Sequence, residues 1–432
     1  MIRKLGIFER AMLISNQHAP FVIVSVLRME NAPSPEVVKS ALEQLQKRQP
    51  FLRARIDNGE FEALSSLGFP FTTIERTSPG LWREIAEQEM TFRYDHAIGP
   101  LFRATYIYKD GYGDLVLNVH HAIMDAVSGM NLLDEFLSLC AGEVTDLPAL
   151  EPAPAMEEIF PAAYQGLRRV FNLTCYGLAQ ISDMLLFMWR TRGKRTPSVH
   201  LGGGGHIATL TLPEELVDSL SRRGRKHGVT LNSLLNAALV LAVNRHLYGG
   251  QALPMQTFAF ADLRPYTEPP TKSEPLANYI SMMRFTVDVF GEKDFLDLAR
   301  DLHVKIYRAL KQGDKFNASL MSESLLKMFT TMKSMRFGAT ALNYSGRVPL
   351  KTQYGDIRLV GLHGFVSGYD LGPEMASQAR LFNDQIWWDF IYLDTDMDAA
   401  LAEKIVWEVK AILKEAGQSS SLNYGNTESQ GK

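Results

Sequence analysis

Leu115-Val116-Leu117-Asn118-Val119-His120-His121-Ala122-Ile123-Met124-Asp125 runs from an apolar, β-branched segment through a histidine doublet to the edge of a helical pattern. Leu115–Val119 reads as a strand. A helix follows from about Val127 to Cys140, with Leu132, Leu133, Phe136 and Leu137 as an apolar stripe and Gly142 as a stop. Strand alternation sends Leu115, Leu117, Val119 and, if the strand persists, His121 to one face, and His120 to the other. The two imidazoles therefore do not share a ligand, and with no further His/Cys/Glu cluster a zinc site is disfavoured. Of the ten histidines only His121 has an aspartate four positions on. Two readings of the pair stay open. His121 is a general base placed at a strand-to-helix turn, or it is a satisfied core histidine with Asp125 as helix cap.

Upstream, residues 20–30 are rich in β-branched side chains and read as a strand. A helix follows with Ser34 as N-cap, Pro35 in its first turn and Val38, Leu42 and Leu45 on one face, closed by Pro50. Further strands are expected at Leu52–Ile56 and Phe102–Lys109. Past Gly142, Pro148, Pro152 and Pro154 mark a linker. Its stretch from Tyr164 to Trp189 is strongly apolar, interrupted by Arg168, Arg169 and Asp183 and followed by Arg190, Arg192, Lys194 and Arg195. The interrupting charges disfavour a transmembrane span. Either a helix packs between domains, or a helix lies on a membrane or lines a lipid entrance. Gly202 to Gly205 precede a strand and so are not a nucleotide loop.

A second half then begins. Strands are expected at 207–212, 255–261, 281–289, 339–344, 357–360 and 385–392. Helices are expected from Pro213 to about Gly228, after Thr230 through Leu247, and near 292–312, 316–333 and 397–414. The chain divides as 1–145, a linker 146–205, a second half 206–417 and a polar tail 418–432 expected to be disordered. Helices and strands in this order predict an α/β fold of mixed sheets with flanking helices, in two halves.

At 432 residues the chain fits two domains, and 46 % hydrophobic with 22 % charged residues is a globular composition. A net charge of −3 gives nucleic acid no electrostatic hold. Cys140 and Cys175 both lie in apolar stretches and read as small buried hydrophobes in a reducing compartment, so a cytoplasmic location is expected. The N-terminus lacks the apolar core of a signal peptide. Met321, Met328, Phe329, Met332 and Met335 are ordinary core or the lining of a lipid-sized pocket. Arg222, Arg223, Arg225 and Lys226 are a solvated helix face or a contact for CoA phosphates or an acidic carrier protein.

With the His-His-x-x-x-Asp motif at 120–125, the chain resembles the superfamily of CoA- and carrier-protein-dependent acyltransferases. That superfamily includes nonribosomal condensation domains, alcohol acyltransferases and mycobacterial dimycocerosyl transferases. Leu5-Gly6-Ile7-Phe8-Glu9 is similar to its opening segment, Gly99-Pro100-Leu101-Phe102-Arg103 to its entry strand, and Asp262-Leu263-Arg264-Pro265 to an Asp-Leu-Arg segment. Asn343-Tyr344-Ser345-Gly346 sits where relatives carry an Asn-containing strand end. Relatives usually have Gly where Ala126 stands, and the Asp-Phe-Gly-Trp segment of the plant branch is absent.

The resemblance implies two chloramphenicol-acetyltransferase-like halves with an active-site channel between them. It implies His121 as catalytic base, Asp125 held by Arg264 in a structural role beside His120, and Asn343 as the contact for the reaction intermediate. No permanently bound cofactor or metal is implied; acyl-CoA or acyl-phosphopantetheine serves as co-substrate. The expected partners are an acyl-CoA or acyl-carrier-protein donor and an alcohol or amine acceptor, with peripheral membrane contact through 164–195 and a monomeric chain. The leading expectation is ester formation on a lipophilic hydroxyl. Amide formation from carrier-bound substrates and a catalytically silent binder are the alternatives. No Gly-x-Ser-x-Gly elbow occurs, which disfavours a covalent acyl-enzyme.

Overall fold

The computed structural model describes residues 2–194, 196–200, 202–290, 294–331, 336–367 and 372–418. Arg195, Met332 and Met335 and the Phe329 side chain lie outside the described residues; of the tail expected to be disordered at 418–432, Gln418 ends the last helix and the rest also lies outside them.

The first half runs β1 (Arg3–Lys4), α1 (Ile7–His18), β2 (Val22–Glu30), α2 (Pro35–Arg48), β3 (Ala54–Asp57), β4 (Glu60–Ala63), β5 (Phe71–Glu75), α3 (Leu81–Met90), β6 (Phe102–Lys109), β7 (Tyr112–His120) and α4 (Ala126–Cys140). The linker forms α5 (Gly166–Thr191). The second half opens with β8 (Gly205–Leu212), α6 (Glu214–His227), α7 (Leu231–Leu247), β9 (Leu253–Asp262), β10 (Ile280–Val289), α8 (Phe295–Gln312) and α9 (Asp314–Thr331). It continues through β11 (Thr340–Arg347), β12 (Gln353–Tyr354), β13 (Ile357–Val366), β14 (Met375–Phe382), β15 (Gln385–Leu393) and α10 (Ala399–Gln418).

Two six-stranded mixed sheets result, ordered β12-β13-β2-β7-β6-β5 and β10-β9-β11-β14-β15-β8. In the first, β2, β7 and β6 are antiparallel neighbours and β5 joins β6 in parallel. Alternation along β7 works as the sequence predicts. Leu115, Leu117 and Val119 join the core under α2 and α4, whereas Val116 faces α3 and packs with Trp82 and Tyr94. In the second sheet β11 runs parallel to both β9 and β14, and α7, α8 and α10 bury their apolar faces on it. From Leu234 to Val243 α7 is apolar all round except at Asn236, so it needs burial on every side, and most of its residues are buried.

One strand departs from the division at residue 206. β13 pairs antiparallel with β2, from Arg358 opposite Glu30 to Val366 opposite Ile23. A segment of the second half thus completes the first sheet. The crossing is fastened by a buried ionic cluster. His363 Nδ1 lies 2.8 Å from Asp389 Oδ1, and Arg380 Nη1 donates to Asp389 Oδ2 at 2.6 Å. Burial alone would raise the Asp389 carboxyl, but Arg380 and His363 hold it below the usual carboxylate range.

α5 is not sandwiched between the halves. Tyr176 is its buried residue, and nine of its large apolar side chains are exposed. Cys175, expected to be buried, is exposed on this helix; Cys140 is half-buried in the first half.

Candidate active site

β7 ends at His120, and the turn that follows is dictated by its own polar groups. The His121 amide donates to the Phe21 carbonyl at 3.1 Å, and the Ile123 amide donates to His120 O at 3.1 Å. The Ala122 amide donates to His120 Nδ1 at 3.1 Å. His120 therefore carries its proton on Nε2, and that nitrogen is buried without a partner among the described residues. Its ring meets Tyr94 edge-on at 5.9 Å, on the face opposite His121. Burial, with His121 and His96 nearby, pushes its pKa down to about 3.

That depression has a sign. The folded chain refuses a proton that the unfolded chain accepts below pH 6.5, so stability falls as pH drops from 6.5 towards 3. The full effect is on the order of 5 kcal/mol. His120→Asn, whose Oδ1 can still accept from the Ala122 amide, is expected to flatten this acid limb. Thermal melts of both proteins between pH 7 and pH 4 check it; parallel curves would remove His120 as the source.

His121 is tied by its other ring nitrogen. Nδ1 lies 3.0 Å from the Met124 carbonyl and 3.2 Å from Asn278 Nδ2; the carbonyl can only accept, whereas the Asn278 amide has the His121 carbonyl as its nearer acceptor, so Nδ1 carries the proton and Nε2 keeps a lone pair. The Phe21 ring stacks on the imidazole at 5.1 Å and 17°. Asn278 Nδ2 donates to the His121 carbonyl at 2.7 Å. Burial lowers the His121 pKa below 6.5, partly opposed by the bond to Met124. At pH 7 the imidazole is neutral and its free nitrogen is a base.

Asp125 does different work. It caps α4, accepting from the Ser128 amide at 2.9 Å. Its carboxylate also accepts from Arg264 Nη1 at 2.9 Å, from Arg264 Nη2 at 3.1 Å and from the Tyr279 amide at 2.8 Å. Burial would raise its pKa, but Arg264 together with the Ser128 and Tyr279 amides outweighs burial and holds it low. The Asp125 amide in turn donates to Ala277 O at 3.0 Å. Asp262 Oδ1 steadies Arg264 from behind at 3.0 Å, and Leu263 is buried between them. The Asp-Leu-Arg segment is thus a clamp from the second half onto the first turn of α4. Ala126 is its first residue, and a side chain is accommodated there.

His121 and Asp125 line a cavity of about 420 Å³ whose remaining wall is largely apolar. That size is within the range of small-ligand pockets. Phe8 and Met12 of α1, Ile181 and Met184 of α5, Met321 and Met328 of α9, and Asn343 of β11 contribute. The opening segment at residues 5–9 positions α1. Glu9 accepts from the Gly6 amide at 2.6 Å and pairs with Arg3. Gly99 sits at φ +65°, where an added Cβ would meet the Ala54 carbonyl at 2.9 Å, so this entry to β6 requires glycine. Asn343 lines the same cavity and makes no side-chain hydrogen bond among the described residues. Arg222, Arg223, Arg225 and Lys226 lie on α6 and are not among the lining residues. Asn278, which the sequence reading did not single out, sits in a loop with no periodicity or spacing partner to mark it.

Two family models match, in chain order. One is described as the condensation domain, over residues 11–153; the other as the phthiocerol/phthiodiolone dimycocerosyl transferase C-terminus, over residues 204–374. A dimycocerosyl transferase of Mycobacterium leprae is 23 % identical over 211 residues, covering 48 % of this chain and 49 % of that protein. The chain thus spans about half the length of this curated relative in the match. Polyketide synthase associated protein 5 of Mycobacterium tuberculosis superposes with a TM-score of 0.71 at 17 % identity, covering 97 % of this chain and 99 % of that one. Trichothecene 15-O-acetyltransferase of Fusarium sporotrichioides superposes at 0.76 and 12 % identity, covering 96 % and 94 %. These likenesses establish the two-halved condensation-type fold expected from the motif, and the resemblance extends through both halves.

Proposed function

We propose that this chain, whose halves match a condensation domain and a dimycocerosyl transferase C-terminus, is an acyltransferase. It moves an acyl group from a thioester, acyl-CoA or acyl-carrier protein, onto the hydroxyl of a lipophilic acceptor. The observation that carries the reading is His121: Nδ1 spent on the Met124 carbonyl, Nε2 left as a base on the wall of an apolar cavity.

A thioester is already activated, so a base and a means of stabilising the oxyanion suffice. His121 Nε2 takes the acceptor proton as the oxygen attacks the thioester carbonyl. The resulting imidazolium returns that proton to the departing thiolate, and no acyl-enzyme forms. Asn343, with its amide free in the cavity, is the donor for the oxyanion. Asp125 stays with Arg264 and touches no substrate. The thioester donor is a co-substrate, and the chain acts as a monomer in the cytoplasm or at its membrane surface. The dimycocerosyl transferase likeness favours a hydroxyl acceptor over an amine.

Thiol release from a panel of acyl-CoAs and acyl-loaded carrier protein, with long-chain alcohols or amines, tests the proposal. Alcohol-dependent release supports it, amine-dependent release alone would make the chain an amide-forming condensation enzyme, and no release with any donor would leave a binder. The pH profile has an expected shape. Because burial lowers the His121 pKa, kcat/KM should be flat at neutral pH and fall about tenfold per unit below a midpoint under 6.5. A midpoint above 7 would contradict the assignment of the base.

A further inference from the structure

α5 is a surface helix whose outer face packs against nothing among the described residues. It spans 26 residues, about 39 Å, and Leu167, Phe171, Leu178, Leu185 and Trp189 recur along that face. Leu167 is 89 % and Trp189 72 % exposed. A continuous apolar strip of this length exceeds what a soluble monomer ordinarily leaves to water. Between Val170 and Trp189 the one charged residue is Asp183, and it is turned inward, accepting from Thr286 Oγ1 at 2.8 Å. Arg190 is likewise pinned inward, to Asp288 at 2.6 Å. These two attachments to β10 lay the helix along the protein, so it does not cross a bilayer despite being long and apolar enough.

The ends of the strip choose its occupant. Arg168 stands at one end, and Arg192 and Lys194 at the other, all exposed. No acidic side chain of α5 shares the exposed face. Apolar side chains flanked by cations, with an indole near the basic end, match a bilayer surface that carries anionic headgroups. A second copy of the chain would bring the same cations against each other in a two-fold pairing. We infer that α5 docks the protein flat on an anionic membrane, inserting its outer face into the interfacial region.

The inner side of the same helix supplies Tyr176, Gly177, Gln180, Ile181 and Met184 to the cavity that holds His121. A lipid acceptor leaving the bilayer would therefore meet the cavity wall at α5. That route rests on the ester-forming reading; the docking itself does not.

Co-flotation of the full chain with vesicles separates the two. Wild type is expected to float with phosphatidylcholine vesicles containing about a third phosphatidylglycerol at low salt, and to float less with phosphatidylcholine alone or at high salt. Phe171→Glu combined with Leu185→Glu, both outside the cavity, is expected to reduce partitioning at least about tenfold. The variant should keep the wild-type melting temperature and its thiol release with a short water-soluble alcohol. Wild type remaining with the soluble fraction, or the variant floating as wild type does, would overturn the inference. So would a dimer in gel filtration that the same substitutions dissolve, because the face would then belong to a second copy. Loss of acyl transfer with flotation intact would sink the function and leave the docking standing.

Discussion

His121→Ala is expected to lower acyl transfer by about 10²- to 10⁴-fold while leaving the fold intact. The ring sits on the cavity wall with its Nδ1 tied to Met124 O, so removing it deletes the base and opens space without breaking the clamp at Asp125. KM for the donor should change little, because the loss falls on a proton transfer that exists only in the transition state. His121→Gln should be almost as inactive, since an amide cannot accept and return a proton. Steady-state kinetics with melting curves for both variants check this. A folded His121→Ala protein with wild-type turnover would remove the mechanism.

Arg264→Ala is expected to damage the fold first and activity as a consequence. Arg264 is 3 % exposed, Asp125 is fully enclosed, and the pair joins the second half to the first turn of α4. Deleting the cation leaves a buried carboxylate with the Ser128 and Tyr279 amides and the Ser128 hydroxyl as donors but no counter-charge. Breaking one side of such a pair costs about 3–5 kcal/mol. A drop of about 5–10 °C in melting temperature and reduced soluble yield are the expected readouts. The double variant Arg264→Ala with Asp125→Ala should lose less than the sum of the single changes, because no uncompensated charge remains. If Arg264→Ala instead raised KM with stability unchanged, the arginine would be a substrate contact and its structural assignment would fail.

Local chemistry was readable where it was self-contained. β6 spans the residues its pattern predicts, Thr230 caps α7 through a bond from the Ser233 amide, and β7 alternates as expected up to His120. α1 escaped the reading because Glu9 and Asn16 are buried among its apolar residues and blur the helical period. α3 escaped because its apolar Trp82, Ala86 and Met90 are spaced among charges. The pairing of β13 with β2 is a choice of neighbour made by the tertiary fold, and nothing within 357–366 encodes it. Asn278 and the His363–Asp389–Arg380 cluster are likewise products of distant segments meeting. The apolar linker could be recognised as a helix, but composition cannot say which face the fold leaves uncovered.

At the site the motif placed His121 and Asp125 in one turn, and the second-half Asp-Leu-Arg segment supplied the partner. What the sequence could not give was the division of labour between the two histidines. That follows from Ala122 N bonding His120 Nδ1 and Met124 O holding His121 Nδ1, which are properties of the turn.

The most direct test of the central claim is thiol release from an acyl thioester donor, measured with and without a long-chain alcohol, in wild type and in folded His121→Ala. Wild type is expected to show alcohol-dependent release with matching ester formation, and the variant neither. Equal alcohol-dependent release from both proteins would contradict it.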